Sequence, residues 1–165
     1  MVRRLTYTAV VAAYLFVAPP HLIHAQNAAG PGQGSSATAH ATGGFDVKVT
    51  PAAESAPGIA RLTIDKQFHG KLEATSKGEM LAGGGTKGTG GYVAMEVVTG
   101  TLDGRTGSFA LQHSGTMMNN NFTLIIVVVP GSGTGELAGI DGKMNILIAA
   151  DGKHTYDFEY TLPAK

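Results

Sequence analysis

The sequence predicts an all-β fold: an antiparallel meander of roughly eight strands closed into a barrel. Three observations carry this reading. Apolar residues recur with period two along most of the chain, and no window shows a helical stripe because Gly interrupts nearly every candidate. The apolar runs are joined by short Gly-rich connections, among them three Asp-Gly pairs, at Asp103-Gly104, Asp141-Gly142 and Asp151-Gly152. Eight such strands can remove their exposed edges only by closing on themselves.

Residues 1–25 read as an export signal. Met1-Val2-Arg3-Arg4 is a short basic head, Leu5 to Ala18 carries no charge, Pro19-Pro20 breaks any helix, and Ala25 suits cleavage before Gln26. A membrane-spanning helix needs about 20 apolar residues, so this stretch is too short to remain as a stable anchor after cleavage. Residues 26–44 are mostly Ala, Gly, Ser, Thr and Gln, too poor in apolar surface to order themselves, and read as a disordered linker in which His40 is solvated. The barrel domain is expected over 45–165.

Its strands are expected at Phe45–Thr50, Ala60–Phe68, Lys71–Met80, Tyr92–Thr101, Ser108–Thr116, Phe122–Val129, Lys143–Ala149 and His154–Leu162. Leu62, Ile64 and Phe68 share a face, with Lys66 between the last two. Phe122–Val129 is apolar on both faces and should be covered on both. At Asp151-Gly152, a three-residue turn with Gly152 in the bulge position sets Met144, Ile146 and Ile148 opposite Phe158, Tyr156 and His154, apolar against apolar. The same turn at Asp103-Gly104 places Val93, Met95 and Val97 with His113, Leu111 and Phe109, and turns Glu96 outward. A two-residue turn there would instead put Glu96 on the face of Phe109, Leu111 and His113.

Composition excludes several functions. Without Cys there is no disulfide framework, thiolate zinc site, iron–sulfur cluster or acylated lipoprotein anchor. The whole chain is formally neutral, but Arg3 and Arg4 leave with the signal, so ten basic and twelve acidic side chains remain, a formal charge of −2. That balance argues against nucleic acid and anionic membranes as partners. Gly133 to Ala138 matches GxGxxA, but a dinucleotide site also needs a following helix, which Gly139 and Asp141-Gly142 forbid. Gly83–Gly91 lacks the Lys-Ser/Thr ending of a phosphate loop and reads as a mobile hairpin loop flanking the barrel mouth. Ser132 lacks a nucleophile elbow.

The runs Tyr92–Met117, Val129–Gly139 and Asp151–Tyr160 resemble the bacterial family called domain of unknown function 3224, over about residues 45–162, with Gly131 a small departure. The resemblance implies an allene oxide cyclase-like, calycin-like barrel of eight strands. It brings no established activity, and the active-site pattern of the plant cyclases, which act on a fatty-acid epoxide, does not map onto this chain. Those cyclases are trimers, which admits a homo-oligomer by fold analogy alone. Glu96 belongs to the family motif, and a carboxylate there would mark a functional site if it faced inward.

The leading reading is an exported small barrel binding an apolar or amphipathic ligand, with His113, His154, Tyr156, Met95 and Phe109 as candidate ligand contacts. The alternatives are a cyclase- or isomerase-type enzyme with Glu96 and His113 as candidate catalytic groups, and a structural barrel with a filled core. No metal site and no cofactor are expected, because the domain histidines lack ligand spacing. A filled interior argues against the first two readings. An open cavity lined by both Glu96 and His113 favours the enzyme, and one without converging polar groups favours binding.

Overall fold

The structure, a computed structural model, describes residues 37–52, 56–84, 86–119 and 121–164. The expected signal and residues 26–36 of the expected linker lie outside the described residues. The remainder forms a closed antiparallel barrel in simple chain order, from β1 (Ala39–Pro51), β2 (Ile59–Gly70), β3 (Leu72–Gly83) and β4 (Gly90–Leu102) to β5 (Arg105–Met118), β6 (Asn121–Val128), β7 (Asp141–Ile148) and β8 (His154–Thr161). β1 closes the ring against β8, pairing Ala39 with Tyr160 and Phe45 with His154. β1 therefore begins before Phe45, inside the stretch expected as linker. Its small residues still belong to the barrel because Ala41 is fully buried and every position from Ala39 to Phe45 has a β8 partner.

Two turns decide what faces inward. At Asp151-Gly152 the chain makes the three-residue turn expected of it. The Ala149 N–H donates to the Lys153 carbonyl at 2.8 Å, Gly152 has φ +86°, and Ile146 lies opposite Tyr156. At Asp103-Gly104 the chain does the opposite. Both residues have positive φ, +46° and +79°, the signature of a two-residue type I′ turn, so Leu102 pairs with Arg105 and Glu96 with Leu111. This corrects the preferred register by one residue: Glu96 faces inward, and Val93, Met95 and Val97 face outward, each about half exposed. Matching apolar with apolar failed here because both faces of β4 are largely apolar and the interior supplies its own partners for a carboxylate.

Asp141-Gly142 makes no hairpin. The chain reverses earlier, through 129–140, where a 3-10 turn at Gly135–Leu137 buries Leu137 completely under one end of the barrel. β6 also departs from expectation. It pairs with β5 along its whole length but with β7 only at Val127 and Lys143, and Ile125 on its outer side is 58% exposed. Its apolar run is covered on one face only.

Below the middle of the barrel the interior is filled. Phe109 stacks on Phe158 with centroids 5.5 Å apart, Phe158 on Tyr160 at 5.3 Å, and Leu72, Leu102, Leu111 and Val128 close the gaps. Two tyrosines turn this packing into stitching. The Tyr160 hydroxyl donates to Asp103 Oδ2 at 2.6 Å, tying β8 to the β4–β5 turn, and burial together with that carboxylate pushes the phenol up to about 12. The Tyr156 hydroxyl accepts the Leu72 N–H at 2.9 Å and donates to the His69 carbonyl at 3.2 Å, holding the β2–β3 turn. Replacing Tyr156 by Phe leaves a buried Leu72 N–H without this acceptor, a loss of about 1–3 kcal/mol. Urea unfolding should show a lower midpoint with unchanged slope, and a midpoint equal to the parent's contradicts the assignment.

Candidate functional site

Inward-facing positions from neighbouring strands fall into layers, and one layer is polar. Lys66 of β2, Ser76 of β3, Glu96 of β4 and His113 of β5 are all buried. The strand register alone brings them together, since Ser76 pairs with Lys66 across β2–β3 and Glu96 and His113 stand on adjoining strands. The Glu96 carboxylate is the hub. Its Oε1 accepts from Lys66 Nζ at 2.8 Å and from His113 Nε2 at 3.1 Å, and its Oε2 accepts from Ser76 Oγ at 3.0 Å. The Lys66 ammonium also lies 5.2 Å from the Phe45 ring centroid and 5.6 Å from that of Phe68, so its remaining surface meets aromatic faces.

Burial by itself pushes the Glu96 carboxyl up, and it is the largest single influence. The His113 hydrogen bond, the charges of Lys66 and His113 and the Lys66 hydrogen bond together outweigh it and bring the group from its usual 4.5 down to about 2. Glu96 is thus an ionised carboxylate whose two oxygens are both engaged. That is the condition under which a buried charge is tolerated. Among the described residues, no buried side-chain polar atom is left without a partner.

Above this layer the barrel opens. A cavity of about 1040 Å³ occupies its mouth, between the β1–β2 connection and the β3–β4 loop. Leu62, Met80 and Met117 supply much of its wall. Tyr92 and Phe122 add another side, their rings stacked at 16° with centroids 6.3 Å apart. Tyr92 leans on Gly115, where a Cβ would collide with the ring, so the glycine sets the wall's position. The Tyr92 phenol is raised by burial and then by the negative charge of Glu96. Arg61 reaches the rim but is taken by Glu79, with Nε 3.1 Å from Oε2. The glycine-rich segment around Gly84, Thr86 and Thr89–Gly91 borders the opening.

The residues singled out from sequence are distributed among different places. Glu96 and His113 meet each other beneath the cavity and do not line it. Phe109 lies deep in the filled half, and Tyr156 is committed to the β2–β3 turn. The His154 ring packs at a tilt of 47° against Phe45, centroids 5.0 Å apart and outside the cavity lining, and Met95 points out of the barrel. Lys66 and Ser76 were missed as partners of Glu96. Lys66 shares its face with Leu62, Ile64 and Phe68, but only closure of the ring brings it and Ser76 to the same carboxylate. Tyr92, Met117 and Phe122 were missed because a mouth is defined by which strand ends overhang, and that depends on register.

The family described as Protein of unknown function (DUF3224) matches residues 41–160 of this chain. The crystal structure of a protein of unknown function from that family, from Shewanella oneidensis MR-1, is 47% identical, covering 78% of this chain and 100% of that one with a TM-score of 0.73. No curated protein matches the chain.

The pH dependence of stability follows from the sign of the Glu96 shift. A carboxyl held lower in the folded than in the unfolded chain contributes stability that is complete above about pH 4.5 and is lost as pH falls toward 2. The contribution is of order 3 kcal/mol. Unfolding free energies measured from pH 6 to 2 should therefore fall more steeply in the parent than in Glu96→Gln, and parallel profiles contradict the assignment. At neutral pH, Lys66→Met strands the carboxylate and should cost about 3–5 kcal/mol.

Proposed function

The chain belongs to the DUF3224 family, and from that premise we propose that it is an exported barrel which binds a small apolar or amphipathic ligand in its open mouth. The cavity carries the proposal. Its volume of about 1040 Å³ is at the upper end of what small-molecule sites offer, and its walls are aromatic, aliphatic and thioether groups. Met80 and Met117 are unbranched and polarizable, which suits a wall that adapts to an irregular apolar shape. The stacked Tyr92–Phe122 pair offers a flat face. The charged lining side chain, Arg61, already has its carboxylate partner in Glu79, so the chemistry favours an uncharged ligand over an anion. Export is supported by the character of residues 1–25.

A binding role is favoured over acid–base catalysis because the Glu96–His113 pair lies outside the cavity lining and spends both carboxylate oxygens on internal partners. A general base must reach the proton it removes. The neutral dye Nile red, titrated into purified protein, should give saturable fluorescence enhancement. Met80→Trp, which fills the cavity, should weaken binding at least about ten-fold (about 1.4 kcal/mol) while the thermal midpoint stays near the parent's. Absence of saturable binding, or equal affinity in Met80→Trp, overturns the reading.

A further inference from the structure

We infer that the mouth cavity selects an uncharged, largely apolar molecule carrying a carbonyl or ether oxygen, and that the Tyr92 hydroxyl is the group that recognises this oxygen. The inference rests on the binding reading above and narrows it from an apolar wall to one directed contact. The polar side chains of the lining are Arg61, Thr86, Thr89 and Tyr92. Arg61 is engaged by Glu79, and Thr86 and Thr89 bond to each other. Among the described residues, the Tyr92 hydroxyl has no hydrogen-bond partner. Tyr156 and Tyr160, by contrast, spend their hydroxyls on Leu72 and Asp103.

The ligand class follows from what filling the cavity does to that hydroxyl. At an open mouth the phenol is served by solvent. A molecule seated against the ring displaces that solvent, and a plain hydrocarbon then leaves a donor stranded beside apolar groups. A carbonyl or ether oxygen takes the bond instead. Burial and the charge of Glu96 both raise the Tyr92 phenol, which keeps it a protonated donor throughout the neutral range. The same charge disfavours a carboxylate or phosphate brought up to the hydroxyl. The wall around it is flat and fixed. The Tyr92 ring lies against Gly115, where a Cβ would collide with it, and is nearly parallel to Phe122. Aromatic carbonyl compounds therefore suit the site best, since ring and oxygen both find a counterpart.

Two probes of one shape test this by equilibrium dialysis. Acetylnaphthalene carries a carbonyl oxygen where isopropenylnaphthalene carries a CH2 group. In passing from the parent to Tyr92→Phe, the ratio of ketone affinity to alkene affinity should fall at least about five-fold. A ratio is insensitive to any loss of folded protein, and an unchanged ratio overturns the inference. Saturable Nile red binding alongside an unchanged ratio leaves the mouth reading standing, whereas failure of the dye and both naphthalenes to bind the parent overturns the two together. The infrared carbonyl stretch of isotope-labelled acetylnaphthalene needs no variant. Bound to the parent it should lie below its value in hexane, and a hexane-like stretch overturns the inference. Naphthoate, the same ring with a carboxylate, should bind the parent at least about ten-fold more weakly than the ketone, and equal affinity overturns the preference for an uncharged ligand.

Discussion

A carboxylate in the middle of an apolar barrel is intolerable unless ionised partners and hydrogen-bond donors surround it, and Glu96 has them from three other strands. Lys66, Ser76 and His113 converge on it only when β2, β3, β4 and β5 hold one particular register. A slip of one residue on any of them would send a partner to solvent and leave a buried charge uncompensated. The polar layer therefore acts as a registration device for half of the ring. It is also the boundary between the two halves of the interior, with aromatic and aliphatic packing below it and the open mouth above.

That division explains how a chain without cysteine combines a stable scaffold with an open cavity. The filled half contains Phe68, Phe109 and Phe158 with Leu72, Leu102 and Leu111, all almost wholly buried, and Leu137 closes the end. The tyrosine hydroxyls at 156 and 160 bind the turns of that end to the wall. The mouth contributes little to this packing, so its Met and aromatic lining and its glycine-bordered rim are free to adapt. Burying the polar layer beneath Tyr92 keeps a charged pair close to the cavity without placing it in the wall.

The exterior is divided as well. Strands β1–β3 and β7–β8 carry the surface ion pairs, alongside exposed apolar residues such as Leu147 and Ile148, whereas β4–β6 present almost wholly apolar and neutral polar groups outward. An inward carboxylate and an outward Val-Met-Val row on the same strand are two consequences of one turn. The type I′ geometry at Asp103-Gly104 decides both.

Periodicity, the absence of a helical stripe and the spacing of the glycine-bearing turns were enough to determine the strands and their antiparallel order, because these are local properties of the chain, while the family was legible in the resemblance of the runs Tyr92–Met117, Val129–Gly139 and Asp151–Tyr160. The same local rules located the bulged turn at Gly152, where one register alone matched apolar residues across the hairpin. They failed at Asp103-Gly104, since both faces of β4 are rich in apolar residues and no hairpin by itself reveals which face the ring will enclose. Only closure supplied that information. Lys66 and Glu96 are 30 residues apart in sequence and become a salt bridge because intervening strands curl them into the same layer. Likewise Leu62, Met80, Tyr92 and Phe122 become one cavity wall only when the strand ends overhang a filled core. Side-chain period is written in the chain; which residues meet across a closed ring is a property of the ring.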